Sequence, residues 1–277
     1  MVSFYSLRQP LTFTTRARGI KASLSQRFNS RVPAGGNFRR SDGSVRLFLV
    51  LISEIFYSVQ GEGRLIGMPS VFVRTSGCNL RCVWCDTPYT SWRPEGKDWT
   101  VKNILREVRK YPSRYVVITG GEPLLVREIE TLTAGLKRAG AHVTIETAAT
   151  LFKPVACDLI SMSPKLSHST PWKKQKGKFA RMHEKRRLNL EVIQQFIDGY
   201  DYQLKFVVDQ QTDFNEIGEI LDQLRNVDRG RILVMPQGKT VRQLRNKAAW
   251  IVTLCKQHGF GYTPRLHIEL FGNSRGT

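Results

Sequence analysis

From Ser53 onward, short apolar runs alternate with longer amphipathic stretches, and this alternation constrains the fold more than any other feature of the chain. Strands are expected at Ser70–Arg74, Tyr115–Thr119, His142–Thr147, Asp158–Met162, Gln203–Val208, Arg231–Met235 and Arg265–Glu269. Helices are expected at Val101–Lys110, Leu124–Ala139, Leu188–Asp198, Asp213–Arg225 and Val241–Gln257. Strands separated by helices of this length form parallel βαβ units. Six or seven such strands suit one open or partial barrel better than two domains. In such folds the chemistry sits at the C-terminal ends of the strands. The loops that follow strands are therefore where functional residues are sought.

The loop after the first expected strand holds three of the five cysteines, in Cys78-Asn79-Leu80-Arg81-Cys82-Val83-Trp84-Cys85. An odd cysteine count without a secretory signal argues against a disulfide framework. Three thiolates on one loop form a soft, metal-selecting site. Structural zinc needs a fourth ligand, for which distant Cys157 or His168 would have to serve. A Cys-x3-Cys-x2-Cys triad instead leaves one iron of a [4Fe-4S] cluster without a protein ligand, and an open metal position suits catalysis. Cys157 and Cys255 are expected to be buried small hydrophobes. After the next strand comes Thr119-Gly120-Gly121-Glu122-Pro123, a tight turn with exposed amides and one carboxylate that could hold an ammonium group.

The formal net charge of +20 invites a nucleic-acid reading. The charge is local, however. Residues 1–52 carry +8 and residues 172–187 carry +7, leaving +5 for everything else. Residues 1–46 are rich in Arg and Ser and have no apolar period. They are read as a disordered basic extension, an organelle transit peptide, or a start assigned too early, with translation beginning near Val50 or Leu51. Residues 47–277 are expected to form the barrel domain, with a polar insertion at 167–187. That insertion is either a solvated loop, a lid, or a docking surface for an acidic electron donor such as flavodoxin. No apolar run approaches the roughly 18 residues of a membrane helix, so a soluble, cytoplasmic protein is expected.

The cysteine spacing and the Gly-Gly-Glu-Pro turn resemble the signature of the radical S-adenosylmethionine superfamily. That resemblance implies a partial (β/α)6 barrel. It implies that adenosylmethionine chelates the open iron through its amino and carboxylate groups, and that the reduced cluster cleaves it to a 5′-deoxyadenosyl radical. Four further segments resemble the 7-carboxy-7-deazaguanine synthase family of the queuosine pathway. They are Glu54 to Gly63 with its Gln60-Gly61-Glu62-Gly63, Pro69 to Cys78, Cys85-Asp86-Thr87-Pro88-Tyr89, and Ser163-Pro164-Lys165. The resemblance spans about residues 53–272.

The family pattern implies roles for individual positions. Cys78, Cys82 and Cys85 would hold the cluster, and Thr87 a magnesium ion, to which a hydroxyl is a suitably hard ligand. Trp84, Asp86, Gly120, Gly121, Glu122, Glu146, Ser163, Pro164 and Lys165 would contact adenosylmethionine. Val59, Gln60, Gly61, Arg74, Thr119, His267 and Thr277 would contact substrate, Arg74 offering a bidentate fork to a carboxylate. Ala148-Ala149 stand where the pattern has Asn-Gly. Each role has a plainer counterpart: Gln60 as a turn residue, Arg74 in an ion pair with Glu122 or Glu146, Thr87 in a turn with Asp86, His267 as a core histidine on the last strand. The implied reaction contracts 6-carboxy-5,6,7,8-tetrahydropterin to 7-carboxy-7-deazaguanine and ammonia, and the resemblance also implies a homodimer. Two rivals share features with it: a glycyl-radical-enzyme activase and a zinc-bearing nucleic-acid-binding module.

Overall fold

The structure is a computed structural model that describes residues 49–277. The expectations placed on residues 1–46 lie outside the described residues. In chain order the elements are β1 (Leu49–Val59), β2 (Pro69–Thr75), α1 (Pro88–Ser91), β3 (Lys97–Thr100) and α2 (Val101–Val108). Then come β4 (Tyr115–Gly120), α3 (Ile129–Arg138), β5 (His142–Thr147), β6 (Leu159–Met162), α4 (Ala180–Arg186) and α5 (Leu190–Gly199). The chain continues with β7 (Tyr202–Val208), α6 (Asp213–Asp222), β8 (Ile232–Pro236), α7 (Val241–His258), β9 (Gly261–Tyr262) and α8 (Leu266–Phe271).

One nine-stranded sheet runs β3-β1-β2-β4-β5-β6-β7-β8-β9. β1 pairs antiparallel with β2 and β3, and every pairing from β2 to β9 is parallel. The sheet is open, as the alternation of strands and helices predicts. Side-chain alternation sorts each strand into two faces. On β7, Leu204, Phe206 and Val208 enter the apolar core, while Lys205 and Val207 face a cavity. On β5, Val143 and Ile145 enter the core and Glu146 faces the cavity. On β2, Val71 and Val73 go to the core while Phe72 and Arg74 face the cavity. The core thus lies between sheet and helices, and the inner face is freed for polar groups.

Helix starts follow local capping. Thr100, Asn189 and Thr240 each accept from a backbone N–H of the first turn of α2, α5 and α7. Gly259 ends α7 in the left-handed conformation. The expected helix 124–139 starts only at Ile129, because Pro123–Leu125 forms a 3-10 turn that breaks at the extended Val126.

One expected strand is wrong. Residues 266–269 belong to helix α8 with Arg265 at its N-cap, so His267 stands on a helix and not on the last strand. The final strand is the two-residue β9, which pairs with Leu233 and Val234. Pro264 follows it, and the Leu266 amide then bonds the Gly61 carbonyl at 2.9 Å. Five alternating residues cannot distinguish a strand from one helical turn, and this tertiary tie decides the matter. β1 and β3 lie outside the seven expected strands, although the strand-like residues that begin at Leu47 lead into β1. Both lie on the antiparallel edge, outside the βαβ alternation.

Candidate active site

The inner ends of the parallel strands open into a cavity of about 310 Å³, within the size range of small-molecule sites. Every expected site residue lines it except Glu122 and Pro164. Two loops build one wall. The cysteine loop leaves β2, and the Gly-Gly turn leaves β4, the strand paired beside it. They press together: the Gly121 amide donates to the Thr75 carbonyl at 3.2 Å, and Glu122 N–H to Gly77 O at 2.9 Å. A Cβ on Gly120 would stand 2.1 Å from Thr75 O, and one on Gly121 2.1 Å from Gly77 O. Gly120 also has φ +139°, which only glycine adopts without strain. The glycines are therefore what allows the turn to seat against the cysteine loop.

Glu122 acts inside this joint. Its carboxylate is fully buried and accepts from Leu124 N, Thr147 Oγ1 and Ala148 N at 3.1, 2.8 and 2.9 Å. Burial raises its pKa against these donors. It braces the turn onto the end of β5, and it reaches position 148 through the backbone, which an alanine satisfies as well as an asparagine.

Cys78, Cys82 and Cys85 share this wall with Leu80 and Ala148 in a small apolar cluster set apart from the main core. Burial pushes the Cys82 thiol up to about 12 and the Cys78 thiol up to about 11. A hydrogen-bond donor nevertheless points at one sulfur: Leu80 N–H lies 3.3 Å from Cys78 Sγ. The Ser91 hydroxyl lies 3.2 Å from Cys85 Sγ and can donate to it or accept from it. Thiols have weak use for such donors, whereas metal-bound thiolates accept them, and metal binding removes the thiol protons. The residues fit an iron–sulfur cluster. The two distant candidates for a zinc ligand are otherwise engaged. His168 accepts from Trp84 Nε1 at 3.1 Å on Nδ1, so its Nε2 donates to Val207 O at 3.1 Å. Cys157 packs on the main core.

Facing the cysteines are the expected substrate and cofactor residues. Arg74 pairs through Nε with Glu54 at 2.6 Å, not with Glu122 or Glu146. Its terminal nitrogens have no hydrogen-bond partner among the described residues. Gln60, almost fully buried, donates to Glu146 at 3.3 Å and accepts from Glu62 N. Lys165 donates to Ser163 Oγ at 2.9 Å and lies 5.9 Å from the Trp84 ring. Thr87 precedes α1 without capping a backbone N–H, and its hydroxyl accepts from Thr90 Oγ1 at 3.3 Å. Its neighbour Asp86 turns away to pair with Arg265. His267 packs on Gly61, where a Cβ would meet the ring at 2.0 Å, and burial lowers its pKa.

An ion network crosses the floor, and the sequence reading did not anticipate it. Lys205 pairs with Glu62 and, at 3.1 Å, with Glu146; Arg265 pairs with Glu62 at 3.0 Å and with Asp86. Burial alone would raise the Glu62 carboxyl, but Lys205 and Arg265 outweigh it and hold it well below the ordinary range. Burial would likewise lower Lys205, and Glu146 with Glu62 reverse the direction. The available signal was a lysine inside the apolar run Leu204-Lys205-Phe206.

A cysteine triad beside a glycine turn, at the C-terminal ends of a partial parallel barrel, defines a radical S-adenosylmethionine protein. The model of the Radical SAM superfamily matches residues 72–169. A 7-carboxy-7-deazaguanine synthase of Rhodopirellula baltica is 46% identical over 87% of this chain and 92% of its own length. One of Halobacterium salinarum is 43% identical over 82% of this chain and 92% of its own. The crystal structure of QueE from Escherichia coli superposes with a TM-score of 0.59 at 23% identity, over 79% of this chain and 95% of that one, and so shares the fold. The chain belongs to the 7-carboxy-7-deazaguanine synthase family.

Proposed function

We propose that this chain catalyses the radical ring contraction of 6-carboxy-5,6,7,8-tetrahydropterin to 7-carboxy-7-deazaguanine, with release of ammonia, in 7-deazapurine (queuosine) biosynthesis. The observation that carries it is convergence: the cysteine wall and the Gln60–Arg74–His267 side open on the same cavity. The bound cluster and adenosylmethionine would supply the radical that removes a hydrogen atom from the substrate and later returns it.

The chain's own residues position and shield. Cys78, Cys82 and Cys85 would hold the cluster. Gly120 and Gly121 let the turn seat against the cysteine loop, where the methionine end of the cofactor would lie, and Ser163, Lys165, Trp84 and Glu146 would flank the remainder. Arg74, anchored through Nε on Glu54, presents its terminal nitrogens to the substrate carboxylate as a fork. Gln60, held by Glu146 and by Glu62 N–H, sets the backbone of Val59 and Gly61 against the pterin edge. Thr87 offers a hydroxyl for Mg²⁺, a hard ion that would bind the substrate carboxylate. The enzyme would act in the cytoplasm as a homodimer, and an electron donor of the flavodoxin type would reduce it.

The test is anaerobic reconstitution with iron and sulfide, followed by assay for the deazaguanine acid from the carboxytetrahydropterin. Product is expected from the intact chain and none from Cys82→Ala. A fully loaded cluster that yields no product would refute the reading.

A further inference from the structure

The basic stretch 172–187 is built onto the cysteine loop. Val83 N–H donates to Ser169 O at 2.8 Å, and Arg81 N–H to His183 Nδ1 at 3.0 Å. His183 is fully buried and bonds Ser169 Oγ through its other nitrogen at 2.9 Å. Lys174 reaches Val83 O at 3.4 Å and lies 4.0 Å from the centroid of the Trp92 ring, whose Nε1 donates to Cys82 O. Val83, the residue directly after Cys82, is itself 39% exposed. The cysteine loop therefore comes to the surface at Val83, and the insertion touches that point through Ser169 and Lys174.

The outward side of the stretch is cationic and uncompensated. Lys173, Lys176, Lys178, Arg181, Lys185 and Arg186 are exposed, and none has an ion-pair partner among the described residues. The single acid, Glu184, is occupied by Thr170 and Arg187. Trp172 beside them is 59% exposed. Gln175 and Lys176 sit consecutively in the left-handed region at φ 50° and 53°. Non-glycine residues pay for that conformation, and such strain collects at functional surfaces.

We propose that this face, centred on Val83 and formed by Lys173, Lys176, Lys178 and Arg181, is the docking surface for a one-electron carrier protein with an acidic surface. It rests on the reading that the cysteine loop holds a redox cluster. Like-charged lysines crowded without partners repel one another, and an acidic protein relieves that repulsion while bringing its redox group over the loop. The carrier is oxidised by one electron and the cluster reduced by one; no bond forms between the proteins. A nucleic acid would match the charge but would gain nothing from a site placed over buried thiols.

The test uses reconstituted holoenzyme carrying K173E, K176E and K178E together, all exposed positions. Flavodoxin hydroquinone serves as the probe, and reduction is followed by bleaching of the cluster absorbance. At low ionic strength the triple variant is expected to be reduced at least about tenfold more slowly, with weaker binding by calorimetry, and the gap should close as salt screens the charges. Dithionite should reduce both forms at the same rate. The control variant R242E/R245E/K256E makes the same charge change on α7 and should behave as wild type. Equal slowing with both reductants, equal slowing in the control, or unchanged flavodoxin kinetics would overturn the inference. Salt-dependent binding of duplex DNA by this face, with none of flavodoxin, would overturn it too. Dithionite-driven turnover of the carboxytetrahydropterin by wild type tests the enzymatic reading separately.

Discussion

Lys205 sits mid-strand with 3% of its side chain exposed, and two glutamates hold it there. Removing one partner of a buried ion pair leaves uncompensated charge. Lys205→Met should therefore cost about 3–5 kcal/mol in urea unfolding. Gly121→Ala is expected to force the turn off Gly77 and lose about 2 kcal/mol or more. Its iron content after reconstitution should fall below that of wild type, because the displaced backbone carries Cys78. At this scale spacing singled out the three cysteines and the two glycines, and the fold brings all five to the cavity. The sequence was silent on partners. Arg74 meets Glu54 only because β1 folds antiparallel against β2, with those two residues in register. Likewise Arg265 links Glu62 to Asp86 across three distant parts of the chain.

Among the elements, α4 shows how a polar stretch can be structural on one side. Its His183 carries the loop of Arg81 and Cys82, and burial lowers its pKa to about 4, with Glu184 opposing and Arg187 and Lys165 reinforcing the shift. An unfolded histidine titrates near 6.5. The folded form thus resists protonation, so the stability due to neutral His183 is complete above pH 6.5 and is lost as pH falls from 6.5 towards 4. The loss could reach about 3 kcal/mol. Thermal melting of the protein is expected to decline over that window, and His183→Gln should flatten the decline. Helix α8 offers the complementary lesson. Its Arg-Leu-His-Ile-Glu pattern alternates like a strand, yet the bond from Leu266 to Gly61 and the preceding Pro264 wind it into a turn that sets His267 at the cavity.

Across the whole molecule, the cysteine loop, the Gly-Gly turn and the basic stretch meet on one side of an open sheet. A cluster bound there should stabilise the fold by mass action, since unfolded chain holds no preformed site. Stripping iron with a chelator should lower the melting temperature by several degrees, and Cys82→Ala should melt like the stripped protein with or without iron. By itself the sequence determined the βαβ order, the cysteine triad and its spacing, the glycine turn and the concentration of charge in two segments, because each of these is written in local spacing and composition. The tertiary structure alone decided the Lys205–Glu62–Arg265 network, the pairing of Arg74 with Glu54, the helical form of residues 266–271 and the seat of the basic stretch on the cysteine loop. Those features depend on which distant residues the sheet pairings bring within a few ångströms, and ion pairs and hydrogen bonds act only over that range.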